Sequence, residues 1–265
     1  MSHFDKGTFG FVYLGLTHGD KPWFLNQCIR SIHALRAYNL APVTLFTDRV
    51  KLASVALRYL DNVKILDMQP KISPFKLKVK AQLLCTYERQ IFIDSDTYPL
   101  SDLSDLFNLL KSKDFFIAND AERSNIKDSN LDPKWPYPIV KPTGAGYNTG
   151  FFGFKKTEQV VKFINLWLQK VSEIDDSNLI PGQGDQKYFN QLMRDGTFKA
   201  LGFDFEVLDN KVFNALYNIL PLLSDEEKCL IKMLHTKELP NQIIKEYPQF
   251  STSKAIIMAS KARSI

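Results

Sequence analysis

Short apolar runs alternate along the first half of the chain with stretches in which apolar residues recur at helical spacing. Residues 9–16 predict a buried strand closed by the polar turn Thr17, His18, Gly19 and Asp20. Residues 21–38 follow as a helix, with Pro22 near its start and Phe24, Leu25, Cys28, Ile29, Ile32 and Leu35 on one face. A second strand at 43–46 is closed by Thr47 and Asp48, a helix covers 52–60, and a third strand lies at 63–66. A helix over 76–87 then leads into a fourth strand at 91–93. Strand and helix in alternation imply a parallel sheet with right-handed crossovers. The ends of the first, second and fourth strands then share one edge, where ligands of open α/β sheets bind.

The pattern loosens after residue 100. A short helix at 102–110 and a strand at 115–118 precede 119–146, which has no apolar period and carries several Pro and Gly together with Trp135 and Tyr137. Such a loop suits a lid or an acceptor-binding segment, its aromatics stacking on a sugar or packing on the core. Residues 147–155, YNTGFFGFK, read as a strand in which Gly150 and Gly153 allow close backbone approach or a bulge. A helix over 158–171 turns Val161, Ile164 and Leu168 inward, and 181–190 puts Gly184, Asp185 and Gln186 at a helix start. Asp185 there is either a functional carboxylate or a charge favourable to the helix dipole. Residues 203–208 and 230–234 are strand-like, the latter ending in His235, a structural residue or a ligand. The last residues set Lys254, Lys261 and Arg263 around Ile256, Ile257 and Met258, as a frayed terminus or a basic tail resting on an anionic membrane.

Composition narrows the class without naming it. With 265 residues, 45% of them hydrophobic, the chain can bury a sizeable core, and no linker or repeat divides it. Its net charge of +5 is spread rather than blocked, which argues against a nucleic-acid partner and fits an anionic small-molecule ligand as well as it fits a solvated surface. Cys28, Cys85 and Cys229 have no metal-ligand spacing and read as reduced, buried thiols. No apolar stretch is long enough to cross a bilayer, so the expectation is a cytoplasmic chain without signal peptide or transmembrane helix.

The candidate chemistry centres on RQIFIDSDTYPL, residues 89–100. Asp94 and Asp96, with Ser95 between them, stand directly behind the apolar run Ile91, Phe92, Ile93. Two carboxylates there need compensation, by a divalent cation or by a helix N-terminus. The plainer alternative is a turn in which Asp96 or Thr97 caps the next helix.

Taken in order, Lys78 on the helix before Asp-x-Asp, then Asn148-Thr149-Gly150, then Gly184-Asp185-Gln186, then a Tyr-Asn pair, then a late His235 resemble the retaining glycosyltransferases of family 8, the group of glycogenin and the bacterial lipooligosaccharide galactosyltransferases. The resemblance runs from about Phe11 to His235 and is densest over 77–107, where Lys78, Tyr87, Asp94, Asp96 and a Leu-x-Asp-Leu-Phe segment fall in register. It implies a GT-A fold, an α/β architecture with a Rossmann-like, mostly parallel central sheet flanked by helices. A single domain over 1–265 would comprise a nucleotide-binding half at about 9–118, an acceptor half at about 119–240 and a tail at about 248–265. The implied donor is a nucleotide-diphosphate sugar, commonly a UDP-sugar, with Mn2+ or Mg2+. The implied acceptor is a glycan, lipid-linked or protein hydroxyl.

Residue by residue, the resemblance makes Asp94, Asp96 and His235 metal ligands, with Asp94 also near the ribose. Lys78, Ser95 and Thr17 would contact the donor, Asn148 would face donor or acceptor, and Asp185 with Gln186 would hold the transferred sugar. Asp185, Gln186 and Asn148 form the implied catalytic set. A mixed carboxylate and imidazole set suits manganese, and a hard cation neutralises a departing diphosphate. Two departures stand out: the family's Gly-Lys-Pro-Trp after the late His is here Thr236-Lys237-Glu238, and Thr17 replaces an expected Asn. No second carboxylate lies at obvious spacing from Asp185 and Gln186, so front-side attack by the acceptor, assisted by the departing phosphate, is expected over double displacement. Two rivals remain open. A haloacid-dehalogenase-like phosphatase also has Asp-x-Asp after a strand, although Tyr98 stands where Thr or Val belongs. A non-catalytic sugar-nucleotide binder could use the same scaffold.

Overall fold

The computed structural model describes residues 5–17, 21–69, 72–120, 146–173 and 184–262. The expectations for Trp135 and Tyr137, for the turn His18 to Asp20 and for Arg263 lie outside these residues. The elements in order are β1 (Asp5–Leu14), α1 (Trp23–Leu35), β2 (Val43–Thr47), α2 (Val50–Leu57), β3 (Val63–Asp67), α3 (Pro74–Leu84) and β4 (Tyr87–Ile93). Then come β5 (Thr97–Pro99), α4 (Ser104–Ser112), β6 (Phe115–Asn119), β7 (Tyr147–Lys155), α5 (Glu158–Ser172), α6 (Asp185–Arg194) and α7 (Thr197–Leu201). The remainder is β8 (Phe205–Leu208), α8 (Asn210–Phe213), β9 (Ala215–Leu216), α9 (Asp225–Cys229), β10 (Met233–His235), α10 (Pro240–Glu246) and α11 (Lys254–Lys261).

The main sheet has the order β3-β2-β1-β4-β7-β6-β8. β3, β2, β1 and β4 are parallel, β7 alone runs against its neighbours β4 and β6, and β8 returns to the common direction. This is the mostly parallel, helix-flanked sheet expected of a GT-A fold. Side chains alternate across it: Phe92, Phe152 and Phe115 pack under α3, α5 and α6, while Ile91, Ile93, Phe151 and Phe116 pack under α1, α2 and α4. A second, small sheet β5-β10-β9 stands beyond the end of β4. Its core, around Tyr98, Leu234 and Ala215, is closed by Ala34 of α1 and by Ile256 of α11.

Several expectations change. The helix over 158–171 turns inward Val160, Phe163, Ile164, Trp167 and Val171; Val161 and Leu168 flank that face because Phe163 and Trp167 cover the aromatic layer of Phe115 and Phe152. Neither Asp96 nor Thr97 caps a helix, since Thr97 opens β5 and α4 starts only at Ser104. The strand expected at 230–234 shrinks to Met233–His235, because Ser224 and Glu227 form a capping box that starts a helix just before it. Residues 254–261 are no frayed end: Ser253 caps α11, and Ala255, Ile256 and Ala259 are fully buried. The apolar face that would have met a lipid surface is used within the protein. Cys28 and Cys85 are buried, but Cys229 is exposed. Among the described residues no helix is long and apolar enough to cross a membrane.

Candidate active site

The chain leaves β4 at Ile93 and makes a turn, Thr97 N–H donating to the Asp94 carbonyl at 3.2 Å, that carries it into β5 of the small sheet. Asp94 and Asp96 therefore sit where the two sheets meet, with Ser95 buried between them. β10 pairs antiparallel with β5, His235 opposite Thr97, and Thr236 N–H donates to the Asp96 carbonyl at 2.7 Å. This ladder brings His235 Nε2 to 3.2 Å from Asp96 Oδ1 across a long sequence separation. The other ring nitrogen, Nδ1, is 2.9 Å from Asn214 Oδ1.

On the opposite side, antiparallel pairing of Ile93 with Phe151 sets the start of β7 beside the turn, and Asp94 N–H donates to the Gly150 carbonyl at 2.8 Å. Thr149 Oγ1 donates to Asp185 Oδ2 at 2.7 Å, and Thr149 N–H to Gln186 Oε1 at 3.3 Å. The start of α6 is pinned from behind by Trp167 Nε1, which donates to the Asp185 carbonyl at 2.8 Å. From α3, whose first turn is set by Pro74 and the Ser73 cap, Lys78 Nζ reaches Asp94 Oδ2 at 3.0 Å and Asp185 Oδ2 at 3.3 Å. Lys78 is only 7% exposed and Asp185 4%, so each requires the other's charge.

The structure thus brings together Lys78, Asp94, Asp96, Asn148, Asp185, Gln186 and His235. Thr17 lies on the same edge but is engaged elsewhere: its N–H donates to Asp48 Oδ1 at 3.0 Å and its hydroxyl bonds Asp48 Oδ2, tying the ends of β1 and β2. Two residues at the site were missed. Asp120 accepts from Gln186 Nε2 at 2.8 Å and from Asn148 Nδ2 at 3.3 Å, so a second carboxylate does stand beside Gln186. Its signal was available, because Asp120 directly follows the end of β6 as Asp94 follows β4. Asn214 was missed too, because an Asn after Phe213 in FNALYN carries no signal of its own.

Burial raises the Asp96 carboxyl's pKa, but the adjacent His235 outweighs it and holds the group down to about 2. For Asp94, burial outweighs the pull of Lys78, and Asp96 and Asp185 add to it, so its pKa is raised. Burial alone would lower His235, yet Asp96 raises it above the ordinary imidazole value. Lys78 is opposed by burial and raised further by Asp185 and Asp94, which keeps it an ammonium.

Among the described residues no three His, Cys, Asp or Glu converge as a finished metal cluster, since Asp96 faces His235 and Asp94 faces Lys78. Whether these residues suit a cation is tested by Gly150. A Cβ built there would lie 3.1 Å from His235 Cε1 and 3.4 Å from Asp94 Oδ2. Asp94 and His235 therefore border a common space that only a glycine leaves clear. The Asp94 carboxylate and the His235 imidazole that border it, with the Asp96 carboxylate against that imidazole, are a donor set that suits manganese better than magnesium.

A sequence model of nucleotide-diphospho-sugar transferases matches residues 71–237, more than half of the chain. The chain belongs to the nucleotide-diphospho-sugar transferase family. No curated protein sequence matches it. Among solved structures, the glycosyltransferase GlyE of Streptococcus pneumoniae TIGR4 aligns with a TM-score of 0.58 at 17% identity, covering 96% of this chain and 62% of that one. The chain thus spans less than two thirds of that protein's length. The apo form of mouse xyloside xylosyltransferase 1 aligns with a TM-score of 0.53 at 15% identity over 86% of this chain and 97% of that one. These likenesses show the fold, which is GT-A. The family match sets aside the phosphatase reading of Asp-x-Asp.

Proposed function

We propose that the chain is a metal-dependent glycosyltransferase that moves a sugar from a nucleoside-diphosphate donor to a hydroxyl acceptor with retention of configuration. The observation that carries this reading is that Asp94 and His235 border one space beside Gly150, with Asp96 against His235 and Lys78 joining Asp94 to Asp185. A UDP-sugar is placed first as donor because the family-8 enzymes that the sequence resembles commonly use one. A glycan or lipid-linked hydroxyl is the acceptor class we favour. A membrane contact through the C-terminal tail is not part of the reading, since Ile256 faces α1.

Asp94, Asp96 and His235 would hold Mn2+ or Mg2+, which when bound neutralises the diphosphate leaving group as a Lewis acid. To hold it, Asp96 would give up its contact with His235, and Asp94 would keep its pairing with Lys78. Lys78, fixed by Asp185, presents an ammonium to the donor. Asp185 accepts hydrogen bonds from sugar hydroxyls and so orients the anomeric carbon. Gln186 and Asn148 are held in place by Asp120, and face donor or acceptor from the opposite side. Both Asp120 oxygens already accept from these amides, which favours an orienting role for Asp120 over that of a nucleophile. Front-side attack by the acceptor accordingly remains the preferred route to retention.

The test is release of nucleoside diphosphate from UDP-, GDP- and dTDP-sugars with manganese or EDTA. Slow, metal-dependent cleavage of one donor is expected, lost in Asp96→Ala. Donor binding without turnover in the presence of glycan acceptors would instead make the chain a non-catalytic binder.

A further inference from the structure

Asp94 follows β4 of the large sheet and Asp96 precedes β5 of the small one, so the placing of one carboxylate against the other depends on how β5 is held. β5 is an edge strand, paired with β10 on one side only. Thr236 N–H donates to the Asp96 carbonyl, which makes Thr97 and His235 a pair whose own N–H and C=O groups point away from each other. The Thr97 carbonyl, on a fully buried residue, therefore needs a donor from outside the sheet.

Helix α1 supplies it. Ser31, also fully buried, donates its hydroxyl proton to the Thr97 carbonyl, and its Oγ lies 3.1 Å from the Tyr13 hydroxyl of β1. A carbonyl oxygen only accepts, so the single Ser31 proton serves Thr97 and the Tyr13 O–H donates to Ser31 Oγ. Burial raises the Tyr13 pKa, which keeps that phenol protonated. The relay runs from β1 of the large sheet through α1 to the first residue of β5, directly after Asp96. A second tie lies at the end of this stretch remote from Asp96. There Asn39, just beyond α1, accepts from Leu103 N–H at 2.8 Å and donates to the Ser101 carbonyl at 3.1 Å.

We infer that Ser31, backed by Tyr13, is a positioning residue that fixes β5 to α1 and so sets Asp96 against Asp94. The effect on cation affinity rests on the reading of Asp94 and Asp96 as ligands, whereas the fixing of β5 does not. Outer-shell groups that hold metal ligands in place act on affinity in this way. Asn39 secures the same stretch of chain without touching the residues beside Asp96, and so separates a general loss of stability from a loss of position.

The experiment compares wild type, Ser31→Ala, Tyr13→Phe and Asn39→Ala by amide hydrogen exchange, thermal melting and manganese affinity from electron paramagnetic resonance. Exchange at the Thr97 and Thr236 amides is expected to quicken roughly 10-fold in Ser31→Ala relative to Phe92 of β4, and by a smaller factor in Tyr13→Phe. Manganese affinity should fall roughly 10–100-fold in Ser31→Ala, while Asn39→Ala should lower the melting temperature and leave affinity within about twofold of wild type. Exchange at Thr97 and Thr236 that rises no more than at Phe92, or equal affinity losses in Ser31→Ala and Asn39→Ala, would overturn the inference. If Ser31→Ala does not fold, Tyr13→Phe, which keeps the ring and loses one oxygen, decides by the same exchange comparison. Failure of the wild type to bind manganese would count against the metal reading alone, and the exchange result would still decide the role of Ser31.

Discussion

Asp96 and His235 each move the other's protonation, and their stabilising contact has a defined pH range. His235 lies above its ordinary value of 6.5 in the fold because Asp96 overcomes the effect of burial. Its contribution is complete below 6.5 and is lost as pH rises through the raised value. Asp96 lies at about 2 against 3.8, so its contribution is present above 3.8 and is lost as pH falls through 2. Asp94, raised by burial, adds to the loss of stability as pH increases. The metal-free chain should therefore melt at a lower temperature as pH rises past 6.5, and Asp96→Asn should flatten that slope. An undiminished slope in the variant would place its origin elsewhere. At this scale Asp94, Asp96, Lys78 and Asp185 were legible because each stands at a strand end or helix position with recognisable neighbours. Asp120 stands at a strand end in the same way, so its position was legible although its bond to Gln186 was not, whereas Asn214 was not legible, since its partner His235 is distant in sequence and only the fold brings them close.

The elements show which patterns carry information. Strands β1 to β4 and the helices between them were legible from apolar periodicity, because each is long enough to show its period. The small sheet was not, as β5, β9 and β10 have only two or three residues each, and yet it is what delivers His235 to Asp96. β7 illustrates how position decides the use of a glycine. At Gly150 an added Cβ would crowd Asn148 Oδ1 at 2.8 Å and His235 Cε1 at 3.1 Å, whereas at Gly153 it would meet the Phe116 ring at 2.5 Å. Gly153→Ala should thus destabilise the fold by about 1–3 kcal/mol while leaving donor affinity unchanged. Gly150→Ala should weaken metal-dependent donor binding roughly 10–100-fold with a smaller loss in melting temperature. Thermal melting paired with donor titration distinguishes them, and equal binding losses in both variants would contradict the proposed cation space.

Across the whole molecule, the site exists because two sheets meet at one turn. β4 of the large sheet ends in Asp94, β5 of the small sheet begins after Asp96, and α1 spans both cores through Leu25 and Ile32 on one side and Ala34 on the other. α11 locks this junction by packing on α1, which turns a segment that looked frayed in sequence into part of the support. The role proposed for this junction is to hold a cation that in turn holds the diphosphate. Its most direct test is calorimetric titration of UDP into the chain with manganese or with EDTA, for the wild type and for Asp96→Asn. UDP is expected to bind the wild type with manganese, and not to bind with EDTA or in the variant. Equal UDP affinity with manganese and with EDTA would contradict it.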